Sequence, residues 1–324
     1  MITTCEVENR TDYSEIDSRG FLLIRSFLNE DQIQRLQTDF EAAPLEVNAN
    51  YSVRRISAAV QETLQGQLDT VNQRIAAESS VRVDLLNDGV YFATYSEKST
   101  LTSLRPGPQQ FPWHQDHETY WLWNDMRNYL NFYLPIVKPV VEKSNLTVVP
   151  FDRFEQRVPD LHRKMIGRGA SRVLPSGKSW IIKDDDQGGK IGRLPFDPSE
   201  IEETPQLRAG DLLVLRGDII HRTQDASTRR VAASFRYINS ETIVPRTSLS
   251  RGSVAKALMM LNARYLFEPA FELFDQSAAT ELTAGKLDAH LKRVMLERRE
   301  GTQSANSGRL AFLSRLLSEK LRRR

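Results

Sequence analysis

The feature that most constrains this chain is a series of short runs rich in β-branched and aromatic residues. They are Val83 to Leu86, Val90 to Tyr95, Tyr129 to Pro135, Leu146 to Val149, Leu212 to Arg216 and Val231 to Ile238. Runs of this length, separated by turn residues, read as strands, and a succession of them reads as an antiparallel sandwich or barrel. Helical patterns flank them. Gly20 to Phe27 forms a short apolar strand. Asn29 and Gln32 then make a capping-box pattern before a helix with Ile33, Leu36 and Phe40 at helical spacing. A second amphipathic helix is expected over about Ala58 to Ala77.

Beyond Arg246 the pattern is helical again. Leu287, Leu291, Val294 and Met295 make one face; Leu310, Leu313, Leu317 and Leu321 make another, with Phe312 and Leu316 beside them. These helices are expected to pack on the β core, a homodimer contact being the alternative. From Phe154 to Gln206 runs a long polar insertion, of a length that often marks a lid or binding loop. The expected fold is mainly β with flanking helices. Residues 1–248 would form the β domain, interrupted at about 154–206, and residues 249–324 a C-terminal helical extension packed on it.

At 324 residues and 40% hydrophobic content the chain exceeds the ceiling of about 250 residues for one core, which fits one domain with an appendage. With 44 Lys+Arg against 42 Asp+Glu, it lacks the basic excess of proteins that hold nucleic acid by bulk electrostatics; the local surplus is Arg322-Arg323-Arg324. A single cysteine, Cys5, excludes an intrachain disulfide and any cysteine-based zinc or iron–sulfur site. No apolar signal segment opens the sequence, and no stretch approaches the ~20 apolar residues of a membrane helix. The expectation is a cytoplasmic protein with no membrane and no nucleic-acid partner. The sequon Asn145-Leu146-Thr147 then has no compartment in which to matter.

Of the five histidines, two end strand patterns. The first lies in Phe111-Pro112-Trp113-His114-Gln115-Asp116, where alternation in an extended chain turns His114 and Asp116 to one face. The second closes Ala209-Gly210-Asp211-Leu212-Leu213-Val214-Leu215-Arg216-Gly217-Asp218-Ile219-Ile220-His221: a Gly-Asp turn, an apolar strand, a second Gly-Asp turn and a histidine. A His-x-Asp alone is a short pattern that chance supplies. Paired in this order with the Gly-Asp-strand-His element, it gives two imidazoles and a carboxylate, a set that binds one face of Fe(II) and leaves three positions open.

After His221, Arg230 and Arg236 are an even number of residues apart and share a strand face, with the small Ala232 and Ser234 between them. Arginine grips carboxylates bidentately at any relevant pH, so this face suits a dicarboxylate anchor. Arg229 competes if the register slips by one. Tyr129, Asn131 and Tyr133 share another face. Ser176-Gly177-Lys178-Ser179 lacks the framing of a phosphate loop. Asp184-Asp185-Asp186 reads as a solvated loop, and His162 and His290 as surface residues.

Taken in order, these elements resemble the phytanoyl-CoA dioxygenase-type Fe(II)/2-oxoglutarate oxygenases over roughly residues 18 to 245. Within that group, Trp113-His114-Gln115-Asp116-His117-Glu118-Thr119-Tyr120 is similar to the W-H-S-D-F-E-T-W stretch of ectoine hydroxylases. The resemblance implies a double-stranded β-helix (jelly-roll, cupin-like) core and the use of Fe(II), 2-oxoglutarate and O2. It implies that His114, Asp116 and His221 ligate iron and that Arg230 grips the distal carboxylate of 2-oxoglutarate, with Arg236 and Asn131 as further cofactor-binding candidates. Trp113, Glu118 and Trp121 fall near the substrate. Two departures bear on the substrate: Val148-Val149-Pro150 runs into Phe151-Asp152 where the family commonly has Pro-Gly-Ser-His, and the insertion and helical tail are not typical of ectoine hydroxylases. Related halogenases replace the carboxylate ligand with a small residue, so Asp116 favours hydroxylation of a small polar metabolite or natural-product intermediate. Two rivals stand beside this reading: a cupin-type dioxygenase or isomerase with His117 as a third nitrogen ligand, and a catalytically silent barrel acting as a binding module.

Overall fold

The computed structural model describes residues 11–47, 52–93, 111–117, 122–123, 125–300 and 312. Helix α1 (Glu15–Ser18) leads into β1 (Phe21–Ile24), α2 (Glu30–Ala42), β2 (Leu45–Val47), β3 (Ser52–Arg55) and α3 (Ala58–Glu78). Strands β4 (Leu85–Ala93), β5 (Tyr129–Val137) and β6 (Leu146–Val149) follow. Next come α4 (Phe151–Arg157), α5 (Pro159–Met165), β7 (Ser171–Ser176), β8 (Ser179–Asp184) and β9 (Lys190–Leu194). Strands β10 (Leu212–Arg216), β11 (Ile220–Thr223), β12 (Val231–Ile238) and β13 (Ile243–Pro245) precede α6 (Arg246–Ser250), α7 (Val254–Asn262) and α8 (Arg264–Ser277), and β14 (Glu281–Thr283) and α9 (Ala284–Glu300) close the described series.

The larger sheet has seven strands in the order β1-β10-β5-β12-β4-β3-β2, all neighbours antiparallel. Alternation along β5 explains its two faces. Leu130, Phe132, Leu134 and Ile136 turn outward onto a core with Leu36 and Phe40 of α2 and Leu64, Leu68 and Ile75 of α3. Tyr133 turns inward beside Leu213, Leu215 and Ala232, where Leu146 and Val148 of β6 join them, so β6 faces the large sheet across this cluster. The α2 cap forms as its sequence dictates: the Gln32 N–H donates to the Asn29 side chain at 2.9 Å and the Asn29 N–H to Gln32 Oε1 at 3.0 Å. Gly210, at φ 86°, makes the turn into β10; there its carbonyl accepts from Leu28 N–H, and a side chain at this φ would be strained.

Opposite lies a second layer. Strands β11 and β6 pair, and β7, β8 and β9 form a three-stranded sheet. Residues 111–117 join the two, because His114 pairs with His221 of β11 on one side and with Arg172 of β7 on the other.

Several expectations change. Helices hold more of the described residues than strands do, so the chain is mixed α/β with antiparallel sheets rather than mainly β. Val83 to Leu86 and Val90 to Tyr95 belong largely to one strand, β4. The 154–206 region is no irregular loop: its helices and strands bury Phe154, Leu161, Met165, Val173, Ile182 and Leu194 against Trp113, Val149 and Ile220. His162 and His290 are buried, as are Asp185 and Asp186. On the C-terminal side, Met259, Phe267, Phe271, Phe274, Leu287 and Leu291 form one core with Trp123, Met126, Tyr129 and Ile238. Phe312 belongs to it too, whereas the expected face of Leu310, Leu313, Leu317 and Leu321 lies outside the described residues. No helix among the described residues is long and apolar enough to cross a membrane.

Candidate metal centre

The backbone pairing of His114 with His221 builds the site. Each donates its N–H to the other's carbonyl at 2.9 Å. Residues that exchange both bonds stand directly opposite each other with side chains on one face. The two imidazoles are therefore neighbours, ring centroids 4.3 Å apart and planes at 48°. Alternation brings Asp116 to the same face, its Oδ1 3.6 Å from Nε2 of His221. Ligand atoms of His114, Asp116 and His221 all lie within 4.8 Å of one another.

The ring orientations fit a metal. Nδ1 of His114 lies 2.7 Å from the Pro112 carbonyl oxygen, and Nδ1 of His221 lies 3.1 Å from that of Ile219. A carbonyl oxygen only accepts, so each Nδ1 carries the proton and each Nε2 keeps its lone pair for an ion. Burial, reinforced by the adjacent His221, pushes His114 down to about 3, with Asp116 offsetting only part of this. Burial works against the charge of Asp116, but His221, Arg236 and His114 outweigh it and hold the carboxyl below its usual range. A neutral imidazole and an ionised carboxylate are the forms that ligate.

Support comes from the opposite face of the same segment. Gln115, fully buried, donates from Nε2 to the Asp218 carbonyl at 2.5 Å and accepts at Oε1 from Ser171 Oγ at 2.8 Å. The Asp218 carboxylate receives Arg216 Nε at 3.0 Å, Arg216 Nη2 at 2.6 Å and the Gly167 N–H at 2.7 Å. The turn that delivers His221 is thereby tied to the segment carrying His114 and Asp116. Sequence reading missed Gln115; its place between two ligands, on the face they leave, was the available signal.

Arg230 and Arg236 are both buried. The guanidinium of Arg230 stacks over the Tyr133 ring at 5.4 Å, and its Nη1 donates to the Ser144 carbonyl at 2.8 Å. Tyr133 Oη is buried with no hydrogen-bond partner among the described residues, and burial raises the phenol to about 12 although Arg230 opposes this. Arg229 instead points to the surface, half-exposed, and pairs with Glu41 at 3.1 Å. Arg236 pairs with Asp88 at 3.3 Å and lies opposite Asn131, whose Oδ1 accepts from Ser234 Oγ at 2.7 Å.

Trp113 departs from its expected place. The alternation that unites His114 and Asp116 sends Trp113 to the other side, into the core under α4 and α5, where Arg222 stacks over it at 4.8 Å. Glu118 and Trp121 lie outside the described residues. His117, its ring 6.2 Å from that of His114, stays out of the metal-ligating group.

The profile of the family described as phytanoyl-CoA dioxygenase (PhyH) matches residues 16–232. The chain belongs to that family. PhyH proteins use Fe(II), 2-oxoglutarate and O2. No curated protein matches the sequence. Among solved structures, the chain is similar to the non-heme alpha-ketoglutarate-dependent epimerase SnoN from nogalamycin biosynthesis, at 15% identity and TM-score 0.47 over 72% of this chain and 84% of that one. It is also similar to EctD from S. alaskensis with 2-oxoglutarate and 5-hydroxyectoine, at 12% identity and TM-score 0.43 over 75% and 80%. A third is EvdO2 from Micromonospora carbonacea var. aurantiaca complexed with 2-oxoglutarate, at 14% identity and TM-score 0.43 over 70% and 89%.

Proposed function

We propose that this PhyH protein is an Fe(II)/2-oxoglutarate-dependent oxygenase with a double-stranded β-helix core. It hydroxylates an unactivated C–H of a small polar metabolite or natural-product intermediate, forming succinate and CO2. One observation carries the reading: two imidazoles with free Nε2 atoms and an ionised carboxylate meet on one sheet face, while the same interior holds a buried arginine beside an orphaned tyrosine hydroxyl. In this reading His114, Asp116 and His221 hold the iron, which with 2-oxoglutarate and O2 supplies the oxidising chemistry. Arg230 grips the distal carboxylate, and Tyr133 Oη donates to it, which gives the buried hydroxyl its partner. Asn131 and Arg236 complete the interior wall. Asp116, where a small residue would leave a position to a halide, supports hydroxylation.

Anaerobic addition of Fe(II) and 2-oxoglutarate is expected to give a weak visible charge-transfer band, and air is expected to release succinate. Asp116→Ala should lose both. A parent protein that shows neither band nor succinate would end the oxygenase reading.

A further inference from the structure

The strand register carries the metal face outward. Across the second layer Val148 stands opposite His221, His221 opposite His114, His114 opposite Arg172, Arg172 opposite Lys183, and Lys183 opposite Lys190. Directly opposed residues of neighbouring strands share a face. Val173 and Ile182, one residue along from Arg172 and Lys183, pack into the core under α4 and α5, which places Arg172 and Lys183 on the opposite face, with the metal ligands. Arg193, opposite Ile181, lies on this face as well. Arg172, Lys183, Lys190 and Arg193 are all exposed.

Of this row the nearby acids neutralise Arg172 alone. Asp184 pairs with Arg168 at 3.4 Å, Asp185 takes Arg172 through Nε at 2.5 Å and Nη2 at 2.8 Å, and Asp186 takes the buried Lys256 at 2.5 Å. Asp185 is itself buried, so it fixes Arg172 in place. Among the described residues no acid pairs with Lys183, Lys190 or Arg193. A chain whose formal net charge is only +2 thus gathers unpaired cations in line with its metal ligands.

We infer that this row is the subsite for an acidic group, a carboxylate or a phosphate, on the substrate. The inference rests on the oxygenase reading and names its substrate class. Strands are spaced about 4.8 Å apart, which sets Lys183 and Lys190 about 10 and 14 Å from His114 along the row. The acidic group would therefore lie roughly 10–15 Å from the carbon that reacts. Exposed cations act modestly one by one and additively along a strip, and at about 0.1 M salt their reach is screened beyond about 10 Å.

Calorimetry on the metal-free full chain at low ionic strength tests this with phenyl phosphate, benzoate and benzyl alcohol as probes. One or both anions are expected to bind, their ranking identifying the preferred acid, while benzyl alcohol does not. Lys183→Gln/Lys190→Gln should weaken the anion about ten-fold without changing the thermal melt. Lys178→Gln, at the tip of the β7–β8 turn, should leave it unchanged. Failure of both anions to bind, equal binding of benzyl alcohol, or unchanged affinity in the double variant each overturns the subsite. The Fe(II)/2-oxoglutarate band separates the two readings. A parent with no band fails as an oxygenase whatever the anions do; with the band intact in parent and variant, unchanged anion affinity removes the subsite alone.

Discussion

Replacing Gly169 by alanine would press directly on a metal ligand. A Cβ at this position would lie 2.7 Å from the backbone oxygen of Asp116 and 2.8 and 2.9 Å from Cγ and Cε of Met126, below the 3.0 Å that real Cβ contacts respect. The Asp116 carbonyl also accepts from the Ala170 N–H at 2.9 Å, and Met126 is fully buried, so neither neighbour yields freely. Overpacking of this kind costs about 1–3 kcal/mol. If the Asp116 peptide takes up part of the shift, its carboxylate leaves a geometry that metals tolerate only within about 0.2 Å, and affinity should fall about 10–100-fold. Anaerobic Co(II) titration followed by visible absorption reads the second effect, and urea unfolding the first. Gly66→Ala is the control: it sits in α3 with nothing within 4 Å of an added Cβ, and should gain about 0.5–1 kcal/mol. A Gly169→Ala protein that loses stability yet binds Co(II) as tightly as its parent would refute the link between this glycine and the ligand.

Other perturbations have equally definite outcomes. Asp218→Ala takes from the buried Arg216 its closest carboxylate, leaving only Asp17 at 3.6 Å, and should cost about 3–5 kcal/mol in urea unfolding, whereas Glu41→Ala, which removes an exposed pair with Arg229, should cost under about 1 kcal/mol; similar losses would contradict the burial argument. Arg230→Lys gives up the planar fork and should raise the KM for 2-oxoglutarate at least about ten-fold, with Arg229→Lys within about two-fold; the reverse order in a succinate assay would exchange the two residues. Burial raises the Asp225 carboxyl, but hydrogen bonds from Ser227 and Ser144 outweigh it and hold the group at about 2. A depressed carboxylate stabilises the fold above its unfolded value of about 3.9 and loses that contribution as pH falls toward 2. The stability gap between parent and Asp225→Asn should therefore close between pH 4 and 2; a gap independent of pH would count against it.

Much of the frame is written locally. Strands β6, β10 and β12 end where composition ends them, and the α2 capping box forms from Asn29 and Gln32 alone, because turn chemistry and caps depend on residues a few positions apart. Alternation put His114 and Asp116 together, and applied one residue earlier it also sends Trp113 away. The 154–206 strands were harder to see. One face packs under α4 and α5 while the other carries Arg172, Lys183 and Lys190, so the average composition reads as a polar loop.

What the sequence determined by itself was the ligand chemistry: which residues can hold a metal, and that a histidine and a carboxylate two apart share a face. Which partner that face meets was decided by the tertiary structure. Only long-range pairing sets His114 against His221, buries Arg230 while leaving Arg229 to Glu41, and aligns three cations with the ligands. Strand register depends on hydrogen bonds between segments distant in the chain, and a slip of one residue reverses every side chain, so no local pattern could fix it.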